Sequence, residues 1–333
     1  MNSVITKMLE GRGNKAMPIL SFPGVQFLDT TVKSLCGDSE KQAQGMKIVA
    51  DKCDTMASVS YMDLSVEAEC FGAQIMFSED EVPCVIGKVI NTPEDAEALS
   101  VPKVGAGRSG TYVEAIKKAK TLITDRPVFA GMIGPLSLTA RLFDVMDVMI
   151  ACFENPDAVH TVLKKATEFL IEYGKAFKEA GADGVVIAEP VAGLFDPFSC
   201  DSFSSSYVAK MVEALQSDDF ALIYHNCGES ANAAIDSILS TGCAAYHFGN
   251  AVDIVSILET ASQDTVIMGN IDPVGVLKDS TPDGVYEKTL ALMNKCERYD
   301  NFVISTGCDV PPSTPWKNIG AFFTAVKDFN DKR

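Results

Sequence analysis

Three residues with soft donor atoms pose the first question. His225 and Cys227 lie two apart in the stretch ALIYHNCG at 221–228, and Cys308 closes the run STGC near the other end of the chain. One imidazole and two thiolates form a ligand set that binds zinc and leaves a fourth position open for chemistry. In both stretches a short apolar run of β-forming residues, 222–224 and 302–304, stops just before the candidate ligands. Each ligand is therefore expected at the C-terminal tip of a buried strand. The expectation is that His225, Cys227 and Cys308 meet in space and hold zinc. Spacing alone leaves a plainer alternative open, because a His and a Cys two apart also arise by chance in a chain with ten cysteines.

Two carboxylates stand at comparable places. Glu189 precedes Pro190 after the apolar run 184–188, and Asp272 belongs to GNIDP at 269–273. Glu189 could accept a proton or supply a fourth metal ligand, or it could be a solvated loop residue. Asp272 could act on a substrate or merely cap a turn. Both are carried forward as candidate catalytic residues. His247 lies inside an apolar strand and reads as a packed core histidine, and His160 falls on a helix surface. No GxGxxG follows the first strand, and GAGRSG at 105–110 lacks the preceding parallel strand that a dinucleotide fold requires. A GxSxG elbow is missing too, which removes the usual signature of a serine hydrolase.

The elements that must position these residues alternate. A short helix is expected at 3–10, a turn at Gly11 and Gly13, and a first strand at 17–22 closed by Pro23 and Gly24. A helix at 39–53, a strand at 55–61, a helix at 66–71 and a hairpin at 73–89 with acidic residues at its turn follow. From Thr111 the rhythm is regular. Strands at 128–133, 184–188, 221–225, 244–248, 266–268 and 302–305 are separated by amphipathic helices. The longest helix opens at Asn155 and Pro156, buries Val159, Val162, Leu163, Ala166, Phe169, Leu170, Tyr173 and Phe177, and stops at Gly181. A last helix after Thr314 and Pro315 buries Ile319, Phe322, Phe323, Val326 and Phe329. About eight strands alternating with helices imply an α/β fold, a distorted (β/α)8 TIM barrel formed by one domain over residues 1–333. In such a barrel the strand tips converge on one mouth, where polar, acidic and thiol groups here accumulate.

Composition narrows the partners. A net charge of −17 without clustered Lys or Arg argues against nucleic acid. The N-terminal stretch lacks the apolar core of a signal peptide, and no run approaches the length of a membrane span. Scattered cysteines among apolar neighbours suit reduced thiols, so a cytoplasmic protein, from a cell with little oxygen, is expected.

Seven segments taken together resemble the uroporphyrinogen decarboxylase superfamily, and within it the methylcobamide:coenzyme M methyltransferases. They are MPILSFPG at 17–24, GMIGPLSLTARL at 131–142, ENPDAV at 154–159, VVIAEPVAG at 185–193, YHNCG at 224–228, MGNIDP at 268–273 and ISTGCDVPPSTPWKNI at 304–319. The resemblance implies a distorted (β/α)8 barrel, and zinc bound through an HxC pair and a distant cysteine, here His225, Cys227 and Cys308. It also implies a methyl group moving between a methylcobamide, supplied by a partner corrinoid protein, and a small thiol such as coenzyme M. The opposite direction, from a methoxy compound or methylamine onto the corrinoid, and a corrinoid- or tetrapyrrole-binding module without turnover are alternatives. Decarboxylases of the superfamily grip their porphyrin with N-terminal arginines, and 18–29 contains no arginine. Arg108, Arg141 and Lys317 are the basic residues considered for an anionic acceptor.

Overall fold

The computed structural model describes residues 2–10 and 16–332; the turn expected at Gly11 and Gly13 lies outside them. Seven parallel strands, β1 (Ser58–Val59), β4 (Val128–Ile133), β5 (Gly184–Ala188), β6 (Ala221–Asn226), β7 (Ala245–Phe248), β8 (Val266–Ile271) and β9 (Phe302–Thr306), neighbour one another in that order. Between the first two of them, β2 (Gln74–Met76) and β3 (Cys84–Ile86) form an antiparallel hairpin. The sheet curls, and residues 16–21 fill the gap between its edge strands, so the architecture is the distorted α/β barrel that alternation implies.

This closure differs from the expected strand at 17–22. Met17 donates its amide to Ile304 O of β9, and Ala16 O accepts from Met56 ahead of β1. Pro18 then has no amide to offer, and the Ile19 amide turns to the Thr306 hydroxyl at 3.2 Å. Only one bridge, Ala16 to Ile304, survives as β structure, and Phe22–Phe27 winds into a 3-10 turn. β1 is shorter than its apolar pattern for a related reason: the Gly131 amide is taken by the Ser60 hydroxyl, at 2.8 Å, in place of a ladder carbonyl.

Period-two alternation sorts the strands into two faces. Phe129, Val186, Ala188, Ala221, Ile223, Ala245, Val266, Met268 and Val303 pack in the barrel interior. The helix Ser3–Glu10 closes its floor with Val4, Ile5 and Met8. Leu222, Tyr224, Tyr246, Phe248 and Ile267 face outward, against the helical layer. That layer includes the long helix Pro156–Glu179, with all eight expected apolar residues buried. Asn155 makes no side-chain cap there, so Pro156 alone carries the start signal. Gly181 ends it in the left-handed region at φ 94°, a conformation other residues adopt only with strain. Two helices not expected from the sequence, Pro135–Phe143 and Val145–Glu154, lie between β4 and this long helix.

Candidate metal centre

The same alternation that buries Ile223 carries His225 inward at the top of β6, and it carries His247 inward at the top of β7. Their strands pair His225 with His247 directly. Cys227 follows β6 by one residue and Cys308 follows β9 by two, so both thiols sit on loops at the mouth. His225 is buried and the two cysteines are half-buried, with one ligand atom of each within 4.8 Å of the others. Cys308 Sγ lies 3.6 Å from His225 Nε2 and 3.9 Å from Cys227 Sγ. Tetrahedral zinc with ordinary bond lengths would place such atoms about 3.6 Å (sulfur to nitrogen) and about 3.8 Å (sulfur to sulfur) apart. The donor set and its spacing fit zinc.

Electrostatics separates Cys227 from the core cysteines. Burial pushes Cys36, Cys53, Cys152 and Cys243 up to about 12, the behaviour of inert core thiols. Cys308, in contrast, donates to Cys227. That hydrogen bond holds Cys227 below the usual thiol range despite its burial, and giving it, together with burial, pushes Cys308 up to about 12. The two thiols are thus hydrogen-bonded to each other at the place where a cation would bind.

Backbone shape delivers the ligands. The buried Asn226 side chain accepts from the Gly228 amide at 2.8 Å and donates to Glu189 O at 2.9 Å, bending the chain at Cys227. Asn270 donates to Gly249 O and Val252 O at 2.9 and 3.0 Å, tying the tip of β8 to the loop after β7. His247 Nδ1 lies 2.8 Å from His225 Nδ1, and its Nε2 lies 2.6 Å from the Ser305 hydroxyl. Ser305 in turn donates to Met17 O at 2.7 Å. Burial and the neighbouring imidazole hold His247 well below the usual histidine range. Sequence reasoning treated His247 as core packing. The readable signal was parity, since 245 and 247 share a face as 221, 223 and 225 do.

The two carboxylates serve the scaffold instead of the triad. Glu189 is fully buried; its Oε1 accepts from the Leu136 amide at 2.7 Å and the Ser204 hydroxyl at 3.1 Å, and its Oε2 from the Ser137 amide at 2.8 Å. It caps the helix Pro135–Phe143 from the neighbouring strand tip, and burial raises its pKa against these bonds. Asp272 Oδ1 accepts from Val274 and Gly275, each at 2.9 Å, which is the turn-capping alternative. Neither joins the ligand cluster. Arg108 is also committed: it bonds Asp63, Glu69 at 2.7 Å and Ser65 at 2.8 Å, which leaves it little capacity for an anionic substrate.

A family profile described as Uroporphyrinogen decarboxylase (URO-D) matches residues 15–329. The chain is 27% identical over 334 aligned residues to the Methylcobamide:CoM methyltransferase MtbA of Methanosarcina acetivorans, covering 96% of each protein. To the Uroporphyrinogen decarboxylase of Christiangramia forsetii it is 25% identical, over 83% of this chain and 80% of that protein. A solved methyltransferase from Methanosarcina mazei superposes with a TM-score of 0.86 at 24% identity, over 99% of this chain and 98% of that one, a likeness of fold.

Proposed function

The chain belongs to the uroporphyrinogen decarboxylase family, and we propose that within it this protein moves a methyl group between the corrinoid of a partner protein and a small thiol. The observation that carries this reading is the His225, Cys227 and Cys308 triad, with spacing that suits one tetrahedral ion. Zinc held there would supply a Lewis acid that keeps an acceptor sulfur as thiolate near neutral pH. The protein's own part is placement. His225 is fixed by its strand, Cys227 by the Asn226 bend, and Cys308 by the Gly307 amide donating to Ile271 O. The likeness to the Methanosarcina acetivorans methyltransferase supports the corrinoid and thiol parts of the reading. The arginine-free segment 18–29 weighs against tetrapyrrole decarboxylation.

A second feature fits a carrier protein that must dock on the mouth. Exposed large apolar residues are uncommon on a surface unless something covers them. Here Met76, Phe77, Ile86, Met146, Ile150, Phe153, Leu194, Phe198 and Val274 all belong to segments that leave the C-terminal end of a barrel strand, and Phe27 to the turn that follows the closing segment 16–21. Among the described residues only Leu122 is an exception. Met146, Ile150 and Phe153 share one face of the helix Val145–Glu154.

Metal analysis of purified protein and of Cys308→Ala tests the site: zinc bound in the parent and lost in the variant is expected, and unchanged zinc would sink it. Demethylation of methylcobalamin by a panel of thiols, set against methylation of reduced cobalamin by methoxy compounds and methylamines, then tests the direction. Methyl transfer to a thiol is expected.

A further inference from the structure

We infer that His247 and Ser305 are positioning residues that decide which nitrogen of His225 is free to bind a metal. This rests on the zinc reading of the triad. The argument follows the protons along one row of interior side chains. Ser305 has a single hydroxyl proton and directs it to the Met17 carbonyl. The hydroxyl can then only accept from His247, so the proton of that imidazole must sit on Nε2. A doubly protonated His247 would be a buried cation with a hydroxyl and another imidazole as its side-chain partners and no carboxylate bonded to it among the described residues. His247 is therefore neutral, and its Nδ1 carries a lone pair. Facing that lone pair at 2.8 Å, His225 Nδ1 must be the donor. The remaining nitrogen of His225, Nε2, is thereby the one turned to the triad, 3.6 Å from Cys308 Sγ.

One backbone carbonyl thus sets the tautomer of the metal ligand through two intermediates. The carbonyl belongs to residue 17, in the segment that closes the barrel between β9 and β1, so closure and ligand orientation are coupled. Outer partners of this kind fix ring orientation and raise ligand basicity, and losing one commonly weakens metal binding about 10- to 100-fold.

The tautomers can be read without any metal. Long-range proton–nitrogen spectra of metal-free, 15N-histidine-labelled full-length protein involve only three histidines. The expected result is His225 protonated on Nδ1 and His247 on Nε2. His247→Phe should shift His225 toward the Nε2-protonated form and weaken zinc binding about 10- to 100-fold in chelator competition. His247→Gln, whose amide can both accept and donate, should restore most of the affinity. Ser305→Ala tests the same chain if His247→Phe does not fold, and a mixed His225 tautomer is expected there. His225 lacking a proton on Nδ1 in the parent, or a His225 spectrum unmoved by both substitutions, would overturn the inference. Expected tautomers without zinc binding would instead overturn the metal reading and leave the relay standing.

Discussion

Gly249 lies against Cys227 so closely that a Cβ on the glycine would stand 2.6 Å from both the Cα and the Cβ of the cysteine. The Gly249 amide also donates to Asn226 O at 2.9 Å, which holds the tip of β7 against the loop that carries Cys227. Gly249→Ala should cost about 1–3 kcal/mol of stability by overpacking. It should weaken zinc binding by at least about tenfold, equivalent to ~1.4 kcal/mol, because Cys227 is the group that must move. Urea midpoints alongside chelator competition separate the two effects. Unaltered zinc affinity would mean that this contact does not place the ligand.

Glu189 offers a test of scaffold against chemistry. Its two oxygens accept two backbone amides and one hydroxyl, and Gln in its place would turn an NH2 group toward donors. Glu189→Gln should lose about 1–3 kcal/mol of stability, the usual cost of leaving a buried donor unsatisfied. Its zinc content should stay that of the parent. A variant as stable as the parent but unable to transfer methyl would return Glu189 to the list of catalytic groups.

Glu67 supplies a pH dependence. It is fully buried, and burial raises its pKa from 4.5 to about 8, while Oε1 accepts from the Ile133 amide at 3.1 Å and Oε2 finds no protein partner among the described residues. Between about 4.5 and about 8 the folded protein holds a proton there that the unfolded chain has released. Stability must then fall as pH rises through that window and level off above it. Glu67→Gln, neutral at every pH, removes the effect. Urea unfolding at pH 5, 6.5 and 8.5 should show a steeper decline in the parent than in the variant, and parallel profiles would refute the assignment.

How much of this was legible beforehand depends on where backbone rules dominate. The long helix could be read from Pro156 to Gly181 because its periodicity and its stop signal are local. The inner strands were readable as apolar runs for the same reason. The closure at 16–21 was not, since the missing Pro18 donor shows its effect only where β9 and β1 face each other. The fates of Glu189 and Asp272 hinge on which amides come within reach, and for Glu189 those belong to a different strand tip. The pairing of His225 with His247 needs the register of two parallel strands, which parity along one strand can hint at but not set. The places of Cys227 and Cys308 just past apolar runs are readable in the sequence, while the hydrogen bond between their thiols emerges only from their proximity.

The apolar rim leads to the last prediction, which concerns the partner. Phe153 and Phe198 are 80% and 81% exposed, on helical segments that follow β4 and β5. Neither contributes to the triad or to the histidine relay. Replacing each with Ser removes exposed apolar area, so little folded stability is at stake. If the carrier protein covers this rim, the double variant should raise KM for the methylated carrier by about tenfold or more, since buried aromatic anchors dominate interface energetics. Turnover of free methylcobalamin, which needs only the mouth, should stay at the parent rate. Equal losses on both substrates would place these residues in the site itself, and no loss on either would move the docking surface elsewhere. A selective loss on the carrier would tie the exposed aromatic side chains to the reaction for which the buried triad is arranged.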